Sequence, residues 1–197
     1  MGKGRLEAFS DGVLAIIITI MVLEMKVPHA NTPEALKPLL PVFISYVLSF
    51  IYIGIYWNNH HHLMHVVHKV TGAVLWSNIH LLFWLSLVPF ATAWMGENHF
   101  SKWPVILYGF ILMMAGVAYY ILAHCLTAVH GKDSTLAKAI GKDKKGIISV
   151  ILYIAGIACS LFIHPWIGFS IYVVVAAIWF IPDRRIEKKI EGEQHPD

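Results

Sequence analysis

Long apolar runs alternate with short polar breaks along almost the whole chain. Six runs stand out, at about 8–27, 39–64, 74–94, 103–128, 146–163 and 166–181. Each is close to the ~20 residues with which a helix rising ~1.5 Å per residue crosses a hydrocarbon layer of roughly 30 Å. The pattern predicts an all-α membrane protein with six transmembrane helices and no strands. It also predicts a single transmembrane domain over 1–197, because no linker, low-complexity stretch or internal repeat divides the chain. The link from Ile163 through His164 and Pro165 is so short that the fifth and sixth helices should form a tight hairpin. Pro89 falls inside the third run.

A secretory leader followed by a soluble domain would account for only the first of these runs. The chain is 57% hydrophobic and 14% charged, with a mean hydropathy of +0.64. Val13 to Leu23 has the length of a leader's apolar core, but Glu7 and Asp11 precede it and five further apolar runs follow. The breaks differ in charge. Lys3 and Arg5, then His68 and Lys69, then Lys132, Lys138, Lys142, Lys144 and Lys145, and finally Arg184, Arg185, Lys188 and Lys189 fall on one side. The other side carries Lys26, Lys37 and Lys102. By the positive-inside rule both termini are expected in the cytoplasm. Trp94, Trp103 and Trp166 lie near predicted helix ends, as an interfacial belt requires. A net charge of +3 gives no reason to expect nucleic acid as a partner, and Cys125 and Cys159, both in apolar runs, imply no disulfide framework.

The first run raises a question of chemistry, since polar groups crowd its doorstep. On a helix, Asp11 and Pro28 are separated by about 26 Å, which puts Arg5, Ser10 and Asp11 at the inner border of the hydrocarbon. Ionisable groups at that depth need partners or water. Arg5 and Asp11 are six residues apart, the wrong spacing for pairing on one helical face, so their partners should come from another helix. The simplest structural role is a cap by Ser10 or Asp11, with Arg5 reaching the headgroups.

Arg5, Phe9, Ser10 and Asp11 spell R-x-x-x-F-S-D at the start of a first transmembrane helix. This resembles the signature of the transmembrane protein 175 potassium channel family, whose prokaryotic members are single six-helix units. The likeness extends to helix count, topology, chain length and the W-N-N-H-H-H stretch from Trp57 to His62 that ends the second helix. It implies a homotetramer around a central pathway lined by the first helix, in a bacterial or archaeal plasma membrane. Potassium would be the permeant ion and the lipid bilayer the surroundings, with no cofactor and no enzymatic activity. It implies a pore without a backbone-carbonyl filter, and no T-V-G-Y-G occurs here. The constricting positions it implies are Ile16, Ile20 and Leu23, which recur at helical spacing on one face. Four copies of such side chains form a hydrophobic gate narrow enough to strip part of a hydration shell, and potassium sheds water more readily than sodium. Thr19 could touch the ion, or bond back to the carbonyl of Ala15. His60, three residues after Trp57, is the partner the family suggests for Arg5 and Asp11, and Asn59 and Asn78 are further polar candidates. Glu24 could gather cations at the mouth or pair with Lys26.

Every face of the first run is apolar, so periodicity alone selects no pore face. The histidines offer a different class of function. A helix places His61, His65 and His68 on one stripe, with His62 beside it, as in a metal- or haem-binding membrane protein or a secondary transporter. No acidic residue accompanies them and no interrupted helix repeats in a second half. His80 and His124, inside apolar runs, are expected to be packing residues. A histidine tied to the Arg5 and Asp11 cluster would make the current respond to cytosolic acid. No nucleophile with its base, phosphate-binding loop, paired catalytic carboxylates or voltage-sensing arginine ladder is present in the sequence.

Overall fold

In the computed structural model, which describes residues 2–65, 67–131 and 144–180, the polar doorstep is itself helical. The first helix, α1 (Lys3–Leu23), starts after Gly2 in extended backbone and ends at Glu24. It therefore begins about five residues before the apolar run. Nothing between Lys3 and Asp11 stops a helix, since the glycine at position 4 costs only ~1 kcal/mol. Met25 to Pro28 lie beyond its end. Ser10 and Asp11 sit in the second and third turns, so neither is a cap.

A short 3-10 helix (Pro33–Leu39) leads into α2 (Leu40–His65). The third run is two helices, α3 (Gly72–Ser86) and α4 (Val88–Glu97), joined at Leu87. Pro89 accounts for the break: it has no N–H to give the carbonyl of Leu85, and its ring crowds that turn. The Leu87 N–H turns to Trp84 and Leu85 instead. Then follow α5 (Lys102–His130), α6 (Lys144–Phe162) and α7 (Pro165–Phe180). Among the described residues five segments are long and apolar enough to cross a membrane, with α3 and α4 counted as one, and α7 is a shorter apolar helix. No strand occurs among the described residues. Lys132, Lys138, Lys142, Arg184, Arg185, Lys188 and Lys189 lie outside the described residues, as does the end of the sixth predicted run.

The bundle is organised around α5, which packs on α3, α4, α6 and α7. The predicted hairpin of α6 and α7 is present, and small residues let its backbones meet: a Cβ on Gly168 would collide with the Ser160 hydroxyl. One on Gly156 would stand 2.5 Å from the Tyr172 ring. Such small-residue contacts replace the hydrophobic drive that lipid cannot supply between helices. Opposite the hairpin, α1 leans on α2, α3 and α4. Between α4 and α5, His99 and Phe100 take φ of 50° and 57°. That left-handed pair turns the chain tightly enough to bury Phe100, whose ring centroid lies 4.6 Å from those of Trp166 and Phe169.

Candidate functional site

The candidate site is α1, whose two faces differ sharply in what they touch. Leu6, Ser10, Leu14, Ile17 and Met21, spaced four, four, three and four residues apart, are its buried residues. Phe9 is 54% exposed, Ile16 58%, Ile20 40% and Leu23 78%. Arg5, Gly12 and Thr19 are exposed as well. At ~100° per residue, Arg5, Phe9, Gly12, Ile16 and Leu23 fall within roughly 60° of one another on the helical wheel. Ile20 flanks this stripe on one side and Thr19 on the other. The Thr19 hydroxyl bonds back to the carbonyl of Ile16 at 2.9 Å rather than to Ala15, leaving its lone pairs unused within the helix. Between α1 and the Pro89 break lies an open groove of about 430 Å³, lined by Val13, Ile16, Ile20, Glu24, Pro89 and Phe90 among others. A crevice of about 280 Å³ between α2, α5, α6 and α7 touches no residue of α1.

At the foot of α1, three consecutive residues point to three different surroundings. Phe9 faces out of the protomer. Ser10, fully buried, donates to the carbonyl of Leu6 at 2.9 Å and accepts from the Asn78 amide at 2.9 Å. Asp11 turns to α2, where it accepts from the indole N–H of Trp57 at 3.1 Å. Consecutive helical positions are ~100° apart, so one tripeptide fixes both the rotation and the depth of the helix.

His60 lies inside this network by a route different from the expected one. Its Nε2 bonds the Asn78 Oδ1 at 2.8 Å, and His60 and Asn78 are 2% and 0% exposed. The direction of the chain is fixed from its far end. A carbonyl can only accept, so Ser10 donates to Leu6; Asn78 must then give its NH₂ to Ser10, and its oxygen takes a hydrogen from Nε2 of His60. His60 is thus bonded neither to Arg5 nor to Asp11. Burial explains the difference, since an enclosed histidine needs a partner deep between helices, and the amide of Asn78 reaches it where an edge carboxylate does not. Among the described residues Arg5 forms no side-chain hydrogen bond or ion pair within the protomer. Two further contacts pin the ends of α1. Lys3 donates to the carbonyl of His65 at 2.9 Å, and Lys26 pairs with Glu97 of α4 at 3.0 Å rather than with Glu24.

The histidines that end α2 lie near one another without forming a ligand set. His61 stacks on Trp57 at 6.0 Å, and its centroid lies 5.8 Å from that of His62 and 6.4 Å from that of His65. Among the described residues no three His, Cys, Asp or Glu side chains stand close enough to hold a metal. His80 accepts from Trp84 at 2.9 Å, and His124 bonds the carbonyl of Tyr120 at 2.9 Å, so both are satisfied locally. Sequence reasoning missed Trp57 as the donor to Asp11. The available signal was an indole N–H in an apolar helix, a group that needs an acceptor.

Helix composition, the interhelical polar lock and the exposed aliphatic stripe define a multi-pass, all-helical membrane protein. Residues 5–89 match the family model described as endosomal/lysosomal potassium channel TMEM175. A potassium channel of Chryseobacterium sp. (strain P1-3) is 56% identical over 97% of this chain and 99% of its own. A potassium channel of Chamaesiphon minutus is 33% identical over 88% of this chain and 91% of its own. The crystal structure of a lysosomal potassium-selective channel TMEM175 homolog from that organism superposes with a TM-score of 0.77 at 30% identity, covering 91% of this chain and 96% of the other. The chain belongs to the TMEM175 family, a family of channels rather than enzymes.

Proposed function

We propose that this protein is a potassium channel subunit that conducts passively, four copies of the whole chain surrounding a pathway lined by α1. Ile16, Ile20 and Leu23 form its aliphatic collar, and Thr19 offers an oxygen beside it. Ser10, Asp11 and His60 belong to the framework that sets each α1 at the right rotation, while Arg5 and Phe9, exposed on the protomer, face the neighbouring copy. The observation that carries this reading is the division of α1: one face is locked to α2, α3 and α4, while the stripe from Arg5 to Leu23 stays largely exposed on the protomer. The relatives named as potassium channels supply the ion. The setting is a bacterial or archaeal plasma membrane with both termini in the cytoplasm, and the channel needs no cofactor.

Reconstitution into liposomes with opposed potassium and sodium gradients tests the assignment. Ile16→Ala and Ile16→Asn widen or hydrate the collar, so flux rises and the preference for potassium falls by roughly tenfold, the effect of ~1.4 kcal/mol in relative barrier height. Unchanged flux and unchanged preference in both variants would remove Ile16 from the pathway.

A further inference from the structure

The histidine that ends α5 is held in a way the channel reading does not use. His130 Nδ1 lies 2.9 Å from the carbonyl of Leu126, one turn back on its own helix. Its Nε2 lies 2.9 Å from the backbone N–H nitrogen of His68 and 3.3 Å from that of Lys69, in the segment between α2 and α3. The partners assign the protons. A carbonyl only accepts, so Nδ1 carries hydrogen; backbone N–H groups only donate, so Nε2 must present a lone pair. The ring is therefore neutral and spans two elements 61 and 62 residues apart in sequence.

We propose that His130 is a pH-sensitive clasp that ties the α2–α3 segment to the end of α5 while its ring is neutral and releases it on protonation. A proton on Nε2 and the two N–H contacts exclude each other, because the new N–H would face two donors at bonding distance. Around the ring stand His68, whose centroid is 6.2 Å away, and Lys69, with His65 and Lys3 one step further. All are cationic when protonated, and no carboxylate contacts the ring among the described residues. Lys132 and Asp133 follow shortly in the sequence. His68 and Lys69 are exposed, so water replaces the lost acceptor and the release is reversible. Its reach is longer than one loop. The carbonyl of His65, three residues before His68, is held by Lys3 at the start of α1, so the clasp acts on the foot of the helix that carries the exposed stripe.

Amide hydrogen exchange of the 67–70 segment, corrected for intrinsic rate and followed between about pH 8 and 5, reads the clasp directly on the intact protein in nanodiscs. In the wild type, protection falls about five- to tenfold on acidification, the worth of one ordinary hydrogen bond. His130→Ala shows the low value at every pH, and His68→Ala keeps the wild-type response. Protection that is flat with pH in the wild type overturns the proposal. So does a response abolished by His68→Ala, which would assign the titration to the other ring. Should His130→Ala fail to fold, His130→Gln, which cannot titrate, replaces it: its protection must be independent of pH.

Discussion

Ser10 shows how much a single hydroxyl can carry between membrane helices. It accepts from Asn78 while spending its own hydrogen on Leu6, so removing it strands an amide N–H in an apolar interior. Ser10→Ala should cost about 1–2 kcal/mol, above the ~0.6 kcal/mol average for interhelical bonds in membranes because the orphaned donor is fully enclosed. Asn78→Leu costs more on its own, because it also strips the buried His60 of its acceptor, but the double variant should lose less than the sum of the two single losses. Thermal unfolding of the four proteins of the cycle in detergent would read it, and strictly additive penalties would mean that the two groups are not coupled. The outer pair of Lys26 and Glu97 is different. Its side chains are 83% and 48% exposed, so it positions α1 while contributing at most ~1 kcal/mol. The R-x-x-x-F-S-D string was visible in the sequence, and so was the need for partners from other helices. The partners themselves were not, because His60, Asn59, Asn78 and Trp57 were all within plausible reach and only the packing decides which donor meets which acceptor. Asn59 turned out to bond back to the carbonyl of Ile55 at 2.8 Å.

At the level of helices, hydropathy gave the number and approximate place of the spans because the exclusion of polar residues from hydrocarbon acts over some twenty positions at once. It was blind to finer features. The start of α1 at Lys3 was hidden because a polar turn folds as readily as an apolar one beside the membrane, and the orientation of α1 was hidden because all its faces are oily. The Pro89 break could be anticipated as a residue but not as two helices. Packing between spans depends instead on small residues. Gly156 sits where α6 meets the Tyr172 ring, and Gly156→Ala should destabilise the hairpin by about 1–3 kcal/mol through overpacking. Measured by thermal unfolding, the same change at Gly54, where an added Cβ meets nothing within 4 Å, should have little effect. Backbone entropy favours alanine at both positions, so an equal loss at Gly54 would mean that close approach is not what Gly156 provides.

For the whole assembly the decisive question is what covers the outer stripe of α1. If four copies meet there, Ile16→Cys in a background of Cys125→Ser and Cys159→Ser should give disulfide-linked dimers on mild oxidation in membranes, whereas Phe162→Cys, 81% exposed at the α6–α7 turn, should not. Linkage at position 162 with none at 16 would place the shared axis elsewhere. The tripeptide at the foot of α1 sets a further condition on any such assembly. Phe9, Ser10 and Asp11 fix the angular phase of the helix, and Ile16 inherits that phase five residues later. One residue added between them would leave the anchors at the foot satisfied yet swing the collar through ~100°, toward the body of the protomer. The spacing from Asp11 to Ile16 therefore acts as a clock setting: the chain can change many side chains along the way, but not their number.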